Sequence, residues 1–438
     1  MKKVTLIILS LLFTTTAFSQ GMISLFGRSN DFFLLLDQQK FAEAQAQFDP
    51  AFQSKVSADD LQKIWGQITT RFGKLQSAGA VQGKNEGEFF VVTVDATFEN
   101  AEQSFTIAYN KMEKMVGFFI KPPSRETAYL NPAYADSTLY SEREITVKTQ
   151  GHDLVGVLTT PKKSTNYPIV VLVHGSGPQD MDETVGPNKT FKDLAAGLAA
   201  KGVASIRYVK RTLIYAGEFG GAFTVKEETI DDAVQAIALA RTVPGADKKQ
   251  IYLFGHSLGA MLAPRMVALA PDLKGIIMAA APASKFTDVL VDQNKYMFEA
   301  AKDTTQAGKK QLNDILTQLE RSRITSAGTM KADSSILGLP VSYWVDLNTY
   351  DQVETAKKIS KQRILLLQGG NDFQVPAKEF DVWSAALKGK SNVTLKLYPD
   401  LNHLLSSQLE KGTPAQYQQP SSVSESLIID IVGWINQK

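Results

Sequence analysis

Ile251-Tyr252-Leu253-Phe254-Gly255-His256-Ser257-Leu258-Gly259 is the stretch that decides the fold. Four successive apolar residues ahead of a glycine read as a buried strand, and the Ala- and Leu-rich run Leu258 to Ala270 reads as a helix. A strand that turns at once into a helix strains the middle residue of Gly-x-Ser-x-Gly, and the flanking glycines let neighbouring backbone approach without Cβ clashes. Ser257 is therefore expected to raise its hydroxyl above the end of a sheet, at the positive end of the following helix. A five-residue pattern recurs by chance, so the strand before it and the helix after it carry the weight.

Outward from that point the same alternation repeats. Glu144 to Lys148 and Leu154 to Thr159 read as two strands leading into the fully apolar run Ile169 to Val173. Helices at Phe191 to Lys201 and Thr229 to Thr242 then alternate with strands at Ala204 to Tyr208, Gly275 to Ala279 and Arg363 to Leu367. Near-continuous apolar strands joined by helices imply a mostly parallel sheet covered on both faces, an α/β fold. Residues 283–350 form a long excursion between two strands, with Leu312, Ile315, Leu316 and Leu319 on one helical stripe, and are expected to be an inserted helical cap. Tyr343 and Trp344 within it hint at an acyl pocket, although such aromatics are more often ordinary core. The segment 413–424 reads as a polar loop.

The chain before this region has a different texture. Helix-like stretches carry Phe32, Leu35, Leu36, Phe41, Phe48 and Phe52, and another helix is expected over Leu61 to Phe72. Alternating strands follow at Glu88 to Glu99, Gln103 to Asn110 and Lys114 to Ile120. Residues 20–130 are thus expected to be a small α+β domain, with residues 131–438 forming the larger one. Ahead of both, Lys2 and Lys3 precede the apolar run Val4 to Phe13, and Ala17-Phe18-Ser19 supplies small residues for cleavage. Residues 1–19 read as a secretory signal peptide, which implies a periplasmic or secreted protein.

Bulk composition narrows the function classes. The 438 residues are 44% apolar and 21% charged, ordinary for a globular protein able to bury a large core. The formal charge of +2 vanishes once Lys2 and Lys3 leave with the leader, which argues against a nucleic-acid partner. No Cys is present, so disulfides, thiolate chemistry and a lipid-modified Cys anchor are excluded. No later run reaches eighteen apolar residues, so no transmembrane helix is expected.

A serine hydroxyl needs a base to become a nucleophile. Of the four histidines, His256 sits inside the turn and is expected to be a packed flank of Ser257. His152 lies in a turn between strands and reads as solvent-exposed, and His174 ends a strand and belongs to an oxyanion loop. His403, in a loop after the strand Val393 to Leu397, remains as the base. The acid should come between Ser257 and His403 at a strand end, where Gln368-Gly369-Gly370-Asn371-Asp372 places Asp372 after a short glycine turn. Asp381 falls on a helix, and Asp400 is better read as a loop cap. Two backbone N–H groups must hold the tetrahedral oxyanion. That of Leu258 is one, and that of Ser176 in His174-Gly175-Ser176-Gly177-Pro178 is the other, with Gly175 as the neighbouring alternative. Asp180, Asp182 and Glu183 read as a solvated rim loop rather than a metal cluster, and no metal or cofactor is expected.

Together these segments resemble bacterial α/β-hydrolase esterases of the acetyl-xylan-esterase and dienelactone-hydrolase-like group, with a small α+β domain ahead of the hydrolase. The resemblance covers most of the mature chain and implies a Ser257, Asp372, His403 triad that hydrolyses small acyl esters. An acylated glycan is one candidate substrate. Arg207-Tyr208-Val209-Lys210-Arg211-Thr212 departs from the R-Y-D-K-R-G of such proteins. Two other functions compete: a serine peptidase of the prolyl-oligopeptidase type, and a non-catalytic binding protein for a glycan or partner. The ~100 residues ahead of the hydrolase are too few for the propeller of the former.

Overall fold

The computed structural model describes residues 18–86, 89–110, 112–120 and 129–437. The expected signal peptide lies outside these, except for Phe18 and Ser19, which open the first helix, α1 (Phe18–Asp37). Two short helices, Phe41–Ala46 and Pro50–Gln53, follow. Next comes α2 (Ala58–Phe72), which starts ahead of its apolar stripe because Ser57 and Asp60 form a reciprocal capping box. These helices cover an antiparallel sheet of four strands in sequence order: β1 (Leu75–Glu86), β2 (Phe89–Phe98), β3 (Glu102–Tyr109) and β4 (Met115–Ile120). Phe32, Phe33, Phe48, Trp65, Phe98 and Phe105 fill the space between.

Strand β1 is an addition to the sequence reading. Its small and polar residues carry no large apolar alternation, because it is an edge strand held by its backbone ladder to β2. Gly83 lies against the rings of Phe90 and Phe26, where a Cβ would come within 2.9 Å of Phe26.

The larger sheet has eight strands. In chain order they are β5 (Tyr140–Thr149), β6 (His152–Pro161), β7 (Tyr167–Val173), β8 (Ala204–Tyr208), β9 (Ala246–His256), β10 (Gly275–Ala279), β11 (Arg363–Gly369) and β12 (Val393–Tyr398). Their spatial order is β12-β11-β10-β9-β7-β8-β6-β5. Strands β5 and β6 pair antiparallel, β6 pairs antiparallel with β8, and the remaining ladders are parallel. Alternate residues of β7 and β9 point to opposite sides, so Ile169, Val171 and Leu253 join one core while Val170, Leu172, Tyr252 and Phe254 join another. Helices α3 (Thr190–Ala200) and α10 (Glu425–Asn436) cover the second face, and α4 (Asp231–Ala240) and α5 (Leu258–Leu269) the first. This is the mostly parallel, doubly covered sheet expected from the apolar runs.

Chain order reverses on either side of β7, since β8 lies beside it in one direction and β9 in the other. Such a switch point opens a crevice beyond the carboxyl ends of the strands, and ligands of open α/β sheets bind there. Ser257 leaves the end of β9 and the loop at Gly175 leaves the end of β7, so both face that crevice.

Between β10 and β11 the chain forms α6 (Phe286–Ala301), α7 (Gln306–Arg321), a two-residue hairpin pair and α8 (Val341–Thr349). Leu319 is buried and Ile315 and Leu316 half-buried, so the α7 stripe packs against the larger core. Tyr343 and Trp344 are fully buried core residues, with the Trp344 indole N–H donating to Ile336 O at 2.8 Å. The segment 413–424 is more than the polar loop its composition suggested. Tyr417 is buried against Phe373, and the N–H of Val423 donates to Asp193 at 2.9 Å. Two apolar side chains anchor an otherwise hydrophilic strap. Helix α9 (Lys378–Ala386) follows the Asp372 loop and carries Asp381 exposed to solvent. Among the described residues no helix is long and apolar enough to cross a membrane.

Candidate active site

Ser257 has φ +53° and ψ −115°, a left-handed conformation that a residue with a Cβ rarely adopts. Close packing imposes it. A Cβ on Gly259 would stand 2.6 Å from His174 O, and one on Gly255 would strike the Gly259 carbonyl, with Ala260 N at 2.6 Å. Glycine at both positions lets β9, α5 and the end of β7 converge within van der Waals distance. The Ser257 N–H donates to Ala279 O at 3.0 Å, and Ser257 O accepts from Met261 N at 2.9 Å, which begins the ladder of α5. The N–H of Leu258, in the first turn of α5, has no partner within the helix and faces outward from its N-terminus.

Across the sheet end, Asp372 and His403 form a tight pair. Asp372 Oδ2 lies 2.7 Å from His403 Nδ1. Its Oδ1 accepts the N–H groups of Gln374 and Val375, both at 2.8 Å. Asp372 is fully buried and His403 nearly so. Gly369 and Gly370 make this possible, since a Cβ on Gly370 would meet Pro399 O at 2.6 Å, and Gly370 N and Asn371 N donate to Tyr398 O and Leu401 O. The two loops are thus sewn together along their backbones. Asp400 takes no part in the pair; its carbonyl accepts Gln408 N.

His403 is docked against the serine turn through its neighbour. His256 Nε2 donates to His403 O at 2.8 Å, and the two rings sit 4.7 Å apart. His256 is therefore the packed flank expected of it. His174 is also buried, its ring against Phe191 and Tyr208 and its Nε2 2.8 Å from Asp180 O. Burial drives its pKa down to about 4 despite the nearby Glu183. His152 is less exposed than its turn position suggested. It opens β6, its Nε2 lies 2.7 Å from Glu218 Oε2 and its ring packs on Tyr215.

The segment after β7 corrects two expectations. Gly175 N–H cannot serve an oxyanion as it stands, because it donates to Glu183 Oε1 at 2.8 Å. Gly177 N–H is likewise taken by Glu228 Oε1 at 2.9 Å, so the two committed amides bracket Ser176. Nor are the acids a solvated rim: Glu183 is 3% exposed, Asp182 binds Arg207 and Lys189, and Asp180 accepts from Thr184. Among the described residues no group of three or more His, Cys, Asp or Glu side chains is placed to hold a metal ion.

Glu228 and Lys210 stand beside this loop without having been singled out in the sequence, whereas Glu183 was read there as a solvated rim residue and Tyr343 only as a hint of an acyl pocket. Lys210 Nζ lies 2.7 Å from Glu228 and 2.8 Å from Gly175 O, and the Tyr343 hydroxyl donates to Glu228 at 2.5 Å. The acid density of Asp180, Asp182 and Glu183 just beyond the loop was the available signal, but nothing in it distinguishes a buried carboxylate from a solvated one.

An eight-stranded, mostly parallel sheet with a strained serine at its switch point is the architecture of the α/β-hydrolases, and the chain is one of them. Residues 165–410 match the family described as serine aminopeptidase, S33, and the chain belongs to this family of hydrolytic enzymes. Residues 29–118 match a separate family described only as a protein of unknown function, DUF3887. The chain is 33% identical over 400 residues to Esterase EstD of Thermotoga maritima, covering 91% of this chain and 92% of that one. Solved structures similar to it include Est1E from Butyrivibrio proteoclasticus, at TM-score 0.43 and 16% identity over 67% of this chain and 99% of that one. The esterase domain of a Rhodothermus marinus protein matches at TM-score 0.40 and 14% identity, over 67% of this chain and 97% of the other.

Proposed function

We propose that the chain hydrolyses carboxylic esters of small acyl groups through an acyl-Ser257 intermediate. The observation that carries this reading is the Asp372–His403 pair held 2.7 Å apart and docked, through His256, against the strained Ser257 turn. The esterase named among the relatives supports the ester bond as substrate. In the proposed reaction His403 Nε2 takes the Ser257 proton as Oγ attacks the ester carbonyl. The N–H groups of Leu258 and Ser176 hold the oxyanion, and collapse expels the alcohol with the proton returned by imidazolium. Water, deprotonated by the same histidine, then releases the acid. Asp372 keeps the His403 proton on Nδ1 and stabilises the imidazolium.

The proposed substrates are small-molecule esters, with acylated glycans among the candidates, and the proposed location is periplasmic or extracellular, reached through the leader at residues 1–19. The test is turnover of p-nitrophenyl acetate by Ser257→Ala, expected to fall on the order of 10⁶-fold in kcat. Full activity in that variant would overturn the reading.

The family description favours a second reading, amide cleavage at a peptide N-terminus. The same constellation can attack either bond, so a series of aminoacyl p-nitroanilides beside the matched esters decides between them. Comparable kcat/KM on the two sets would establish the peptidase.

A further inference from the structure

We infer that Glu183 and Glu228 are positioning residues that clamp the 175–177 loop around Ser176, with Glu183 also tied through His256 to the His403 loop. The inference rests on the proposed role of Ser176 as an oxyanion donor.

The need for a clamp comes from the loop's own composition. Gly175 and Gly177 flank Ser176, and Gly177 sits at φ +84°. Glycine peptide planes rotate at little cost, so such a loop by itself would not hold an N–H in a fixed direction. Preorganised donors are the part of an oxyanion site that lowers the barrier. Here both neighbouring amides are immobilised, Gly175 N–H on Glu183 Oε1 and Gly177 N–H on Glu228 Oε1. Lys210 Nζ grips the Gly175 carbonyl at 2.8 Å. The Ser176 amide is thereby left between two fixed neighbours.

Two carboxylates this near an oxyanion would oppose catalysis if they stood alone. Neither does. Glu228 has Lys210 at 2.7 Å, and Glu183 Oε2 has His256 Nδ1 at 3.0 Å, an ion pair lying off the line of a directed hydrogen bond. All four side chains are buried. Of the His256 ring nitrogens, Nε2 donates to the His403 carbonyl, while Nδ1 lies 3.0 Å from the Glu183 carboxylate without a directed hydrogen bond. The carboxylates thus supply acceptors to the loop, with Lys210 neutralising Glu228 and the His256 ring set beside the second oxygen of Glu183. The Glu183–His256 pair also links the oxyanion loop mechanically to the base, and Tyr343 links Glu228 to α8 of the insertion.

The experiment compares Glu183→Leu with Glu183→Gln in the full chain on p-nitrophenyl acetate. Leucine removes the acceptor for Gly175 N–H. Glutamine keeps one, and its amide can donate to a neutral His256 whose Nε2–H still reaches His403 O. Glu183→Leu is expected to lose about 10²-fold in kcat with KM within about threefold, and Glu183→Gln to recover at least tenfold of that loss. Wild-type kcat in the Leu variant, or a Gln variant no better than Leu, overturns the inference. Should the Leu variant fail to fold, His256→Asn is read instead, with a fall in kcat of at least about tenfold at unchanged KM expected and wild-type kcat overturning the idea. Ser257→Ala run alongside separates the two claims. Activity retained there sinks the esterase reading, whereas an inactive Ser257→Ala beside a fully active Glu183→Leu sinks only the clamp.

Discussion

Asp372 divides its two oxygens between different tasks: Oδ2 faces His403 Nδ1 at 2.7 Å, while Oδ1 receives the N–H groups of Gln374 and Val375. Asparagine can keep its carbonyl oxygen on those two amides. Its NH₂ would then point at His403 Nδ1 and force the ring proton onto Nε2, the atom that must accept from Ser257. Asp372→Asn is expected to lower kcat about 10⁴-fold while the folded structure persists. Steady-state kinetics together with a thermal melt would check this; a loss below about tenfold contradicts the assigned orientation.

His174 gives the molecule an acid-sensitive point. Its ring is buried and neutral, with Nε2–H donated to Asp180 O, and burial depresses its pKa to about 4. The unfolded chain takes up this proton near pH 6.5, so below that pH it binds more protons than the native state. Stability is therefore expected to fall as pH drops from 6.5 through about 4, by roughly 3 kcal/mol from this one group. Urea unfolding at several pH values should show that slope, and His174→Gln should flatten it.

The glycines of the serine turn are expected to be intolerant of a single methyl group. A Cβ on Gly259 would press on the carbonyls of Val173 and His174 at the end of β7. Strands β7 and β9 are paired in register there, so neither can retreat without breaking the ladder. Gly259→Ala should cost about 1–3 kcal/mol and reduce kcat more than tenfold, because it displaces both the turn and the 175–177 loop. A variant with wild-type melting temperature and turnover would show that the turn has slack.

Most of the sheet was legible because its strands are buried on both faces, so Ile169 to Val173 and Ile251 to Phe254 are apolar without interruption. The serine turn, Asp372 and His403 were legible because local chemistry marks each: glycines beside a strand end, in fixed chain order. Glu183, Glu228, Lys210 and Arg211 were not. A charged residue carries no local sign of whether its counter-charge lies in solvent or, as for Glu228, on a strand-end loop 18 residues earlier. Strand β1 escaped for a related reason, since its place is held by backbone pairing and its side chains need no apolar pattern.

Arg211 shows what the altered 207–212 segment does. Its guanidinium is buried against Asp232 on α4, with Nε 3.1 Å from Oδ1 and a second, shorter contact through Nη2, and with Thr149 of β5 close by. Burial raises the Asp232 pKa against the opposing pull of Arg211, so desolvation outweighs the attraction of its partner. A pair in that condition adds little net stability when intact and leaves an expensive orphan when broken. Arg211→Met should therefore cost about 3–5 kcal/mol, whereas Arg211→Met combined with Asp232→Leu should recover most of the loss. Chemical denaturation of the two single variants and the double closes the cycle. If the double variant is as unstable as the sum of the singles, the coupling between Arg211 and Asp232 is zero and the pairing does not account for the loss. The 207–212 segment would then be held by the way its stems pack rather than by that charge pair.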